Sequence, residues 1–198
     1  MSEESEESEQ SAEPPRALVL LAAGTEEMEV TITVDVLRRG GVEVVLAGLD
    51  GQDPVTCSRG LRIVPDAALA EVEGSFDIIV LPGGMDGTDR FCGSGDLGGL
   101  LKDQERQGRW IAALCAAPKA LVAHGIGGGK AMTSHPSVQE VVAAHGSFSD
   151  QRVVHADKLI TSQGPGTAFE FALALVAELV GQDVADGLCG PMVWSPSA

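Results

Sequence analysis

The stretch Arg109-Trp110-Ile111-Ala112-Ala113-Leu114-Cys115-Ala116-Ala117-Pro118-Lys119-Ala120-Leu121 decides the fold. An apolar run short enough for a buried parallel strand stops at Cys115, and Ala-Ala-Pro-Lys-Ala-Leu then opens a helix. The cysteine therefore sits at a strand-to-helix elbow. That places its sulfur at the carboxyl edge of a parallel sheet, where open α/β folds bind ligands, and beside unpaired helix N–H groups. Both features predict a thiolate, the nucleophilic form of cysteine.

Outward from this strand the pattern repeats. Residues 17–23 (ALVLLAA) and 76–81 (FDIIVL) are further buried strands, and Val42–Ala47 is another. Thr25 is expected to cap a helix carrying Glu26 and Glu27 in its first turn and an apolar stripe at Val30, Val34 and Leu37. Short β segments are expected near Val55 and Leu61. Pro82-Gly83-Gly84 ends its strand, residues 87–99 read as a glycine-rich connection, and a helix runs from Leu100 to Gln107. Residues 116–124 form the helix after the elbow. Ser137 is expected to cap a helix through Ala144, Val153–His155 and Leu159–Ser162 a hairpin, and Ala168–Val180 a long apolar helix. Alternating strands and helices specify an α/β sandwich, a mostly parallel sheet covered on both faces.

Composition narrows the function. The chain has 198 residues and a net charge of −16, of which −6 lies in the first fifteen, leaving −10 for the rest. Residues 1–15 predict a disordered acidic tail and residues 16–198 one domain. Nucleic-acid binding through phosphates is disfavoured, because it needs clustered Lys and Arg. Four cysteines at irregular spacings predict neither a disulfide framework nor a zinc site, and no run spans a membrane. The N-terminus lacks the order of a signal peptide, so a reducing, cytoplasmic setting is expected.

Several residues can serve Cys115. Glu29 lies about one turn into the first helix, where a desolvated carboxyl would keep its proton and shuttle it to or from sulfur. Its ordinary explanation is an acid favoured at a helix start. His135 also follows a strand and can act as a base or as a loop histidine. Gly83, Gly84 and the Ala116 N–H can hold an oxyanion, against the commoner use of Gly-Gly as a tight turn. Gly164–Thr167 lacks the residues of a phosphate loop.

With these residues in view, the chain resembles the DJ-1/PfpI superfamily and its Parkinson disease protein 7 branch. The likeness runs from Arg16 to about Pro191, through 26–29 (EEME), 53–59 (DPVTCSR), 80–84 (VLPGG), 112–118 (AALCAAP), 133–136 (TSHP) and 164–173 (GPGTAFEFAL). The resemblance implies a flavodoxin-like homodimer without metal or organic cofactor. It casts Cys115 as an oxidisable nucleophile, Glu29 as its protonated partner, His135 as the nearby histidine, and Gly84 and Ala116 as oxyanion-binding positions. Cys57 would lie near the dimer interface and Arg59 near the partner's site. Nucleus and mitochondrion join cytoplasm as implied locations. Met85, Ala117 and Gln163 depart from the family pattern.

The implied activity is that of a glyoxalase or deglycase acting on methylglyoxal, glyoxal and early adducts of glycated protein or nucleotide, protecting against carbonyl and oxidative stress. Alternatives are a redox-sensing protective protein or chaperone whose Cys115 is oxidised to sulfinate, and a cysteine peptidase. No acid adjoins His135, so a full protease triad is not evident.

Overall fold

The computed structural model describes residues 13–195. The expected acidic tail therefore lies almost wholly outside the described residues. Chain pairing is already established at Pro15, whose carbonyl accepts the Glu43 N–H at 2.9 Å.

The first half contains β1 (Arg16–Leu21), α1 (Glu27–Arg39), β2 (Glu43–Gly48), β3 (Val55–Thr56), β4 (Arg62–Ile63), β5 (Ala67–Ala68), β6 (Ile78–Leu81), α2 (Met85–Gly93) and α3 (Gly95–Arg106). The second half adds β7 (Trp110–Leu114), α4 (Pro118–His124), β8 (Ala131–Met132), α5 (Gln139–Ala143), β9 (Ser147–Phe148), β10 (Val153–Ala156), β11 (Leu159–Ser162), α6 (Ala168–Leu179) and α7 (Gln182–Cys189). A seven-stranded sheet runs β10-β11-β7-β6-β1-β2-β5, and all its pairings are parallel except β10 with β11. Helix α1 packs on α6, and α4 packs on α2 and α3. This is the expected flavodoxin-like sandwich, and its apolar core runs through β1, β6 and β7, whose residues are almost all buried.

The order of strands positions the site. From β1 the chain first builds outward through β2 and then returns to lay β6 and β7 on the other side. The strand order reverses between β1 and β6, so their carboxyl ends border an open crevice. The loops after β1, β6 and β7 all end there.

Four local expectations are corrected. Glu26, not Thr25, caps α1, its side chain accepting the Glu29 N–H, while Thr25 Oγ1 accepts the Ala22 N–H at 3.0 Å. The glycine-rich 87–99 segment is helical, because its glycines permit close packing that outweighs their poor propensity. A Cβ on Gly87 would come within 2.6 Å of Thr25 Oγ1, and one on Gly98 within 2.4 Å of the His124 ring. His135 rather than Ser137 caps a short turn before α5, since its Nδ1 accepts the Ser137 N–H. After Cys115 the chain makes a turn, so α4 begins only at Pro118.

Candidate active site

Cys115 closes β7 with φ of 62°. This left-handed conformation costs a non-glycine residue on the order of 1–3 kcal/mol and persists only where surroundings enforce it. Here the Cys115 N–H donates to Ser162 O at 2.9 Å and the Cys115 carbonyl accepts the His135 N–H at 2.8 Å. The strain turns the side chain out of the sheet toward the crevice, where it lines a cavity of about 340 Å³.

Glu29 meets it from α1. Its side chain is wholly buried, Oε2 accepts the Gly83 N–H at 2.7 Å, and Oε1 has no hydrogen-bond partner. The Cys115 thiol is near enough to the carboxyl for each group to shift the other's pKa. Burial raises Glu29 from 4.5 to about 7, and the nearby Glu26 charge adds to this against the lowering effect of the Gly83 N–H and the Cys115 thiol.

The thiol departs from the expected thiolate. Burial first, then the nearby charge of an ionised Glu29, push Cys115 up to about 12, while the N–H groups of Gly84 and Ala116 pull the other way. Desolvation of a buried anion outweighs the two N–H dipoles. The two titrate as a coupled pair, and an ionised Glu29 holds the remaining proton on the sulfur. When that proton rests on Glu29, the opposing charge disappears and the carboxyl becomes a donor to sulfur.

Gly83 is not free for an oxyanion, because its one N–H is committed to Glu29. It serves instead as a spacer, since a Cβ there would lie 2.6 Å from Cys115 Cβ. Gly84, at φ of 87°, and Ala116 aim their N–H groups at the sulfur. The sequence did not single out Glu26 beyond its helix-start charge. Its carboxylate lines the cavity and holds the Glu29 N–H at 2.8 Å, and its own N–H donates to Gly83 O at 3.0 Å. Glu26, Gly83 and Glu29 thereby form a closed ring of three hydrogen bonds.

His135 lines the same cavity and is exposed. Its Nδ1 accepts the Ser137 N–H and lies 2.8 Å from Ser137 Oγ, so in the neutral ring the proton falls on Nε2. Among the described residues its ring makes no hydrogen bond to Cys115 and no ion pair with a carboxylate. Arg59 lines the cavity of its own chain, its N–H anchored by Glu27 at 2.9 Å. Cys57 is buried beneath the same loop, where burial and then the charges of Glu27 and Glu26 push its thiol up to about 11. Burial opposes ionisation of Glu27 too. Hydrogen bonds from its own N–H, the Ser58 hydroxyl and the Leu61 and Arg59 N–H groups win, and its pKa falls.

Of the three departures, Met85 lines the cavity, whereas Ala117 is buried behind it and Gln163 turns away to donate to Asp150 O at 2.9 Å. The described residues contain no group of three His, Cys, Asp or Glu suited to a metal, and no helix long and apolar enough to cross a membrane. All four cysteines are unpaired.

The sequence model of the DJ-1/PfpI family covers residues 15–178. The chain is 47% identical over 182 residues to the Parkinson disease protein 7 homolog of Danio rerio, spanning 90% of this chain and 96% of the relative. It is 45% identical over 179 residues to the glutathione-independent glyoxalase DJR-1.2 of Caenorhabditis elegans, spanning 89% and 95%. The crystal structure of Drosophila melanogaster DJ-1beta superposes with a TM-score of 0.91 at 45% identity, covering 92% of this chain and all of that one. A family model across most of the chain, with relatives nearly half identical over nearly their whole lengths, establishes that the chain belongs to the DJ-1/PfpI family.

Proposed function

We propose that the protein is a cofactor-independent glyoxalase that converts methylglyoxal or glyoxal to a 2-hydroxy acid. The observation that carries this reading is the buried Glu29 carboxyl, one oxygen unpartnered and its pKa raised by burial, beside a cysteine at a strained elbow. Similarity to a nematode glyoxalase supports it.

With the pair's remaining proton on Glu29, the Cys115 sulfur adds to the aldehyde carbon and the C=O π pair moves to oxygen. The Gly84 and Ala116 N–H groups stabilise that charge, and Glu29 gives the oxygen its proton. Glu29, now a carboxylate, removes the hydrogen from the same carbon as a proton and returns it to the adjacent carbonyl carbon, while the hydroxyl proton passes from the first oxygen to the second. One carbon is oxidised and its neighbour reduced, leaving a thioester. Water then cleaves the C–S bond to release the 2-hydroxy acid and the thiol. At the hemiaminal carbon of an early glycation adduct, which has no C=O, the sulfur instead displaces the amine. The C–S bond forms as the C–N bond breaks and Glu29 protonates the departing nitrogen, so deglycase activity on protein or nucleotide belongs to this proposal. The test is lactate formation from methylglyoxal, which Cys115→Ser should abolish and Glu29→Gln should reduce by roughly 10²–10⁴. Equal rates in all three proteins would sink the reading.

A second reading, redox sensing, draws on Glu29 Oε1. Peroxide oxidation of Cys115 to sulfinate would give that protonated carboxyl an oxygen acceptor. Intact mass after mild peroxide should show two oxygens on Cys115 in wild type and further oxidation in Glu29→Ala. No comparable feature supports a peptidase, since His135 leans on Ser137 rather than on a carboxylate.

The proposal includes a homodimer. Met28 of α1 and Leu61 and Val64 of the β3–β4 ribbon are each more than half exposed. Glu27 binds the N–H groups of Arg59 and Leu61, docking the ribbon against the start of α1. A second copy of this chain is the partner that covers these apolar side chains.

A further inference from the structure

The chemistry proposed above touches only two carbons of its substrate, and the cavity beside Cys115 is larger than they need. Its volume of about 340 Å³ corresponds to roughly eleven waters at their liquid density, whereas glyoxal fills the space of only about two or three. The walls decide what side group occupies the remainder.

Most of that wall carries no large apolar side chain. Glu26, Asp86, Arg59 and His135 are polar, and the glycines and serines between them are small. Met85 brings the one long apolar side chain. It opens α2 directly after Gly84, whose φ of 87° swings the chain across the crevice, and it shares the cavity with Ala116 and Pro165. It remains 41% exposed. An unbranched thioether left open at the mouth of a site gains by covering its surface, and it adapts to aliphatic groups or ring edges alike. An anionic side group is disfavoured, because Glu26 and Asp86 stand on the same wall as the single Arg59.

We infer that Met85 is a specificity-determining residue, which makes α-oxoaldehydes bearing an apolar alkyl or aryl group better substrates than glyoxal. This rests on the glyoxalase reading, and the experiment separates the two. The ratio of kcat/KM for phenylglyoxal to that for glyoxal is measured in wild type, Met85→Ala and Met85→Leu. Taking the ratio cancels any general loss of activity. Truncation to Ala should lower it roughly fivefold, and Leu should keep it within about twofold, because the contact is apolar area rather than a polar bond.

A second measurement needs no turnover. The ratio of Cys115 alkylation rates with N-phenylmaleimide and N-methylmaleimide should fall in Met85→Ala by a similar factor, with Cys115→Ser as the blank. A protein that makes no 2-hydroxy acid but shows this fall refutes the glyoxalase reading and upholds the Met85 contact. A maleimide ratio unmoved by Met85→Ala, or lowered as much by Met85→Leu, overturns the inference whatever the turnover.

Discussion

Gly83 holds Glu29 with its N–H at 2.7 Å, while its missing side chain leaves room for Cys115, whose Cβ would lie 2.6 Å from any Cβ placed there. One residue thus orients the acid and clears space for the nucleophile. Gly83→Ala would also meet Leu114 O at 2.8 Å and Ala116 N at 2.9 Å, all rigid parts of the elbow. The expected cost is about 1–3 kcal/mol of stability. Calorimetry should show a lower Tm, and Cys115 alkylation should slow or change its pH dependence. A variant with unchanged Tm and reactivity would mean the elbow yields more easily than this packing implies.

The raised Glu29 pKa makes stability depend on pH with a definite sign. Between 4.5 and about 7 the folded chain keeps a proton that the unfolded chain releases. The group's contribution is therefore full below 4.5 and fades as pH rises through 7, a change of about 3 kcal/mol. Glu29→Gln keeps an oxygen for the Gly83 N–H and cannot ionise. Its unfolding free energy relative to wild type should improve by about 3 kcal/mol from pH 4 to pH 8. Denaturant curves giving the same difference at both pH values would show that the carboxyl ionises normally.

Reactivity should follow the same pair. Alkylation of Cys115 in wild type is expected to rise through about pH 7, as the pair loses its first proton. That step should vanish in Glu29→Gln, because it belongs to the carboxyl. If the rate instead climbs only in strongly alkaline solution in both proteins, the sulfur titrates alone.

The apolar patch predicts an assembly. Leu61→Glu places a charge among Met28 and Val64 at a position 52% exposed in the single chain. Sedimentation should report a dimer for wild type and a shift toward monomer for the variant, since burying an unpaired charge is costly. A wild-type monomer at all concentrations would remove the second copy from the proposal.

Much of this was legible in residue order. The apolar runs at 17–21, 78–81 and 110–114 specify buried parallel strands because no other secondary structure hides so short a run on both faces. The stop at Cys115 pointed to the nucleophile, whereas spacing left Glu29 between a helix-start acid and a partner of the sulfur, and only the family resemblance favoured the second. The glycines at 87 and 98 misled for a physical reason. Locally they favour a loop, and only contact with Thr25 and His124 makes their helices favourable. Glu26 was hidden for a similar reason, as its bond to the Glu29 N–H exists only once Glu26 rather than Thr25 ends the turn.

By itself the sequence determined the sheet, its helices and the elbow, because hydrophobic periodicity and turn residues act over a few neighbours. Tertiary structure alone decided the protonation of the site. Whether Cys115 or Glu29 carries charge depends on water excluded by β1, β6, β7 and α1 together, and on a Gly83 N–H far from Glu29 in sequence. Desolvation is a property of the assembled core, so no spacing of residues along the chain contains it.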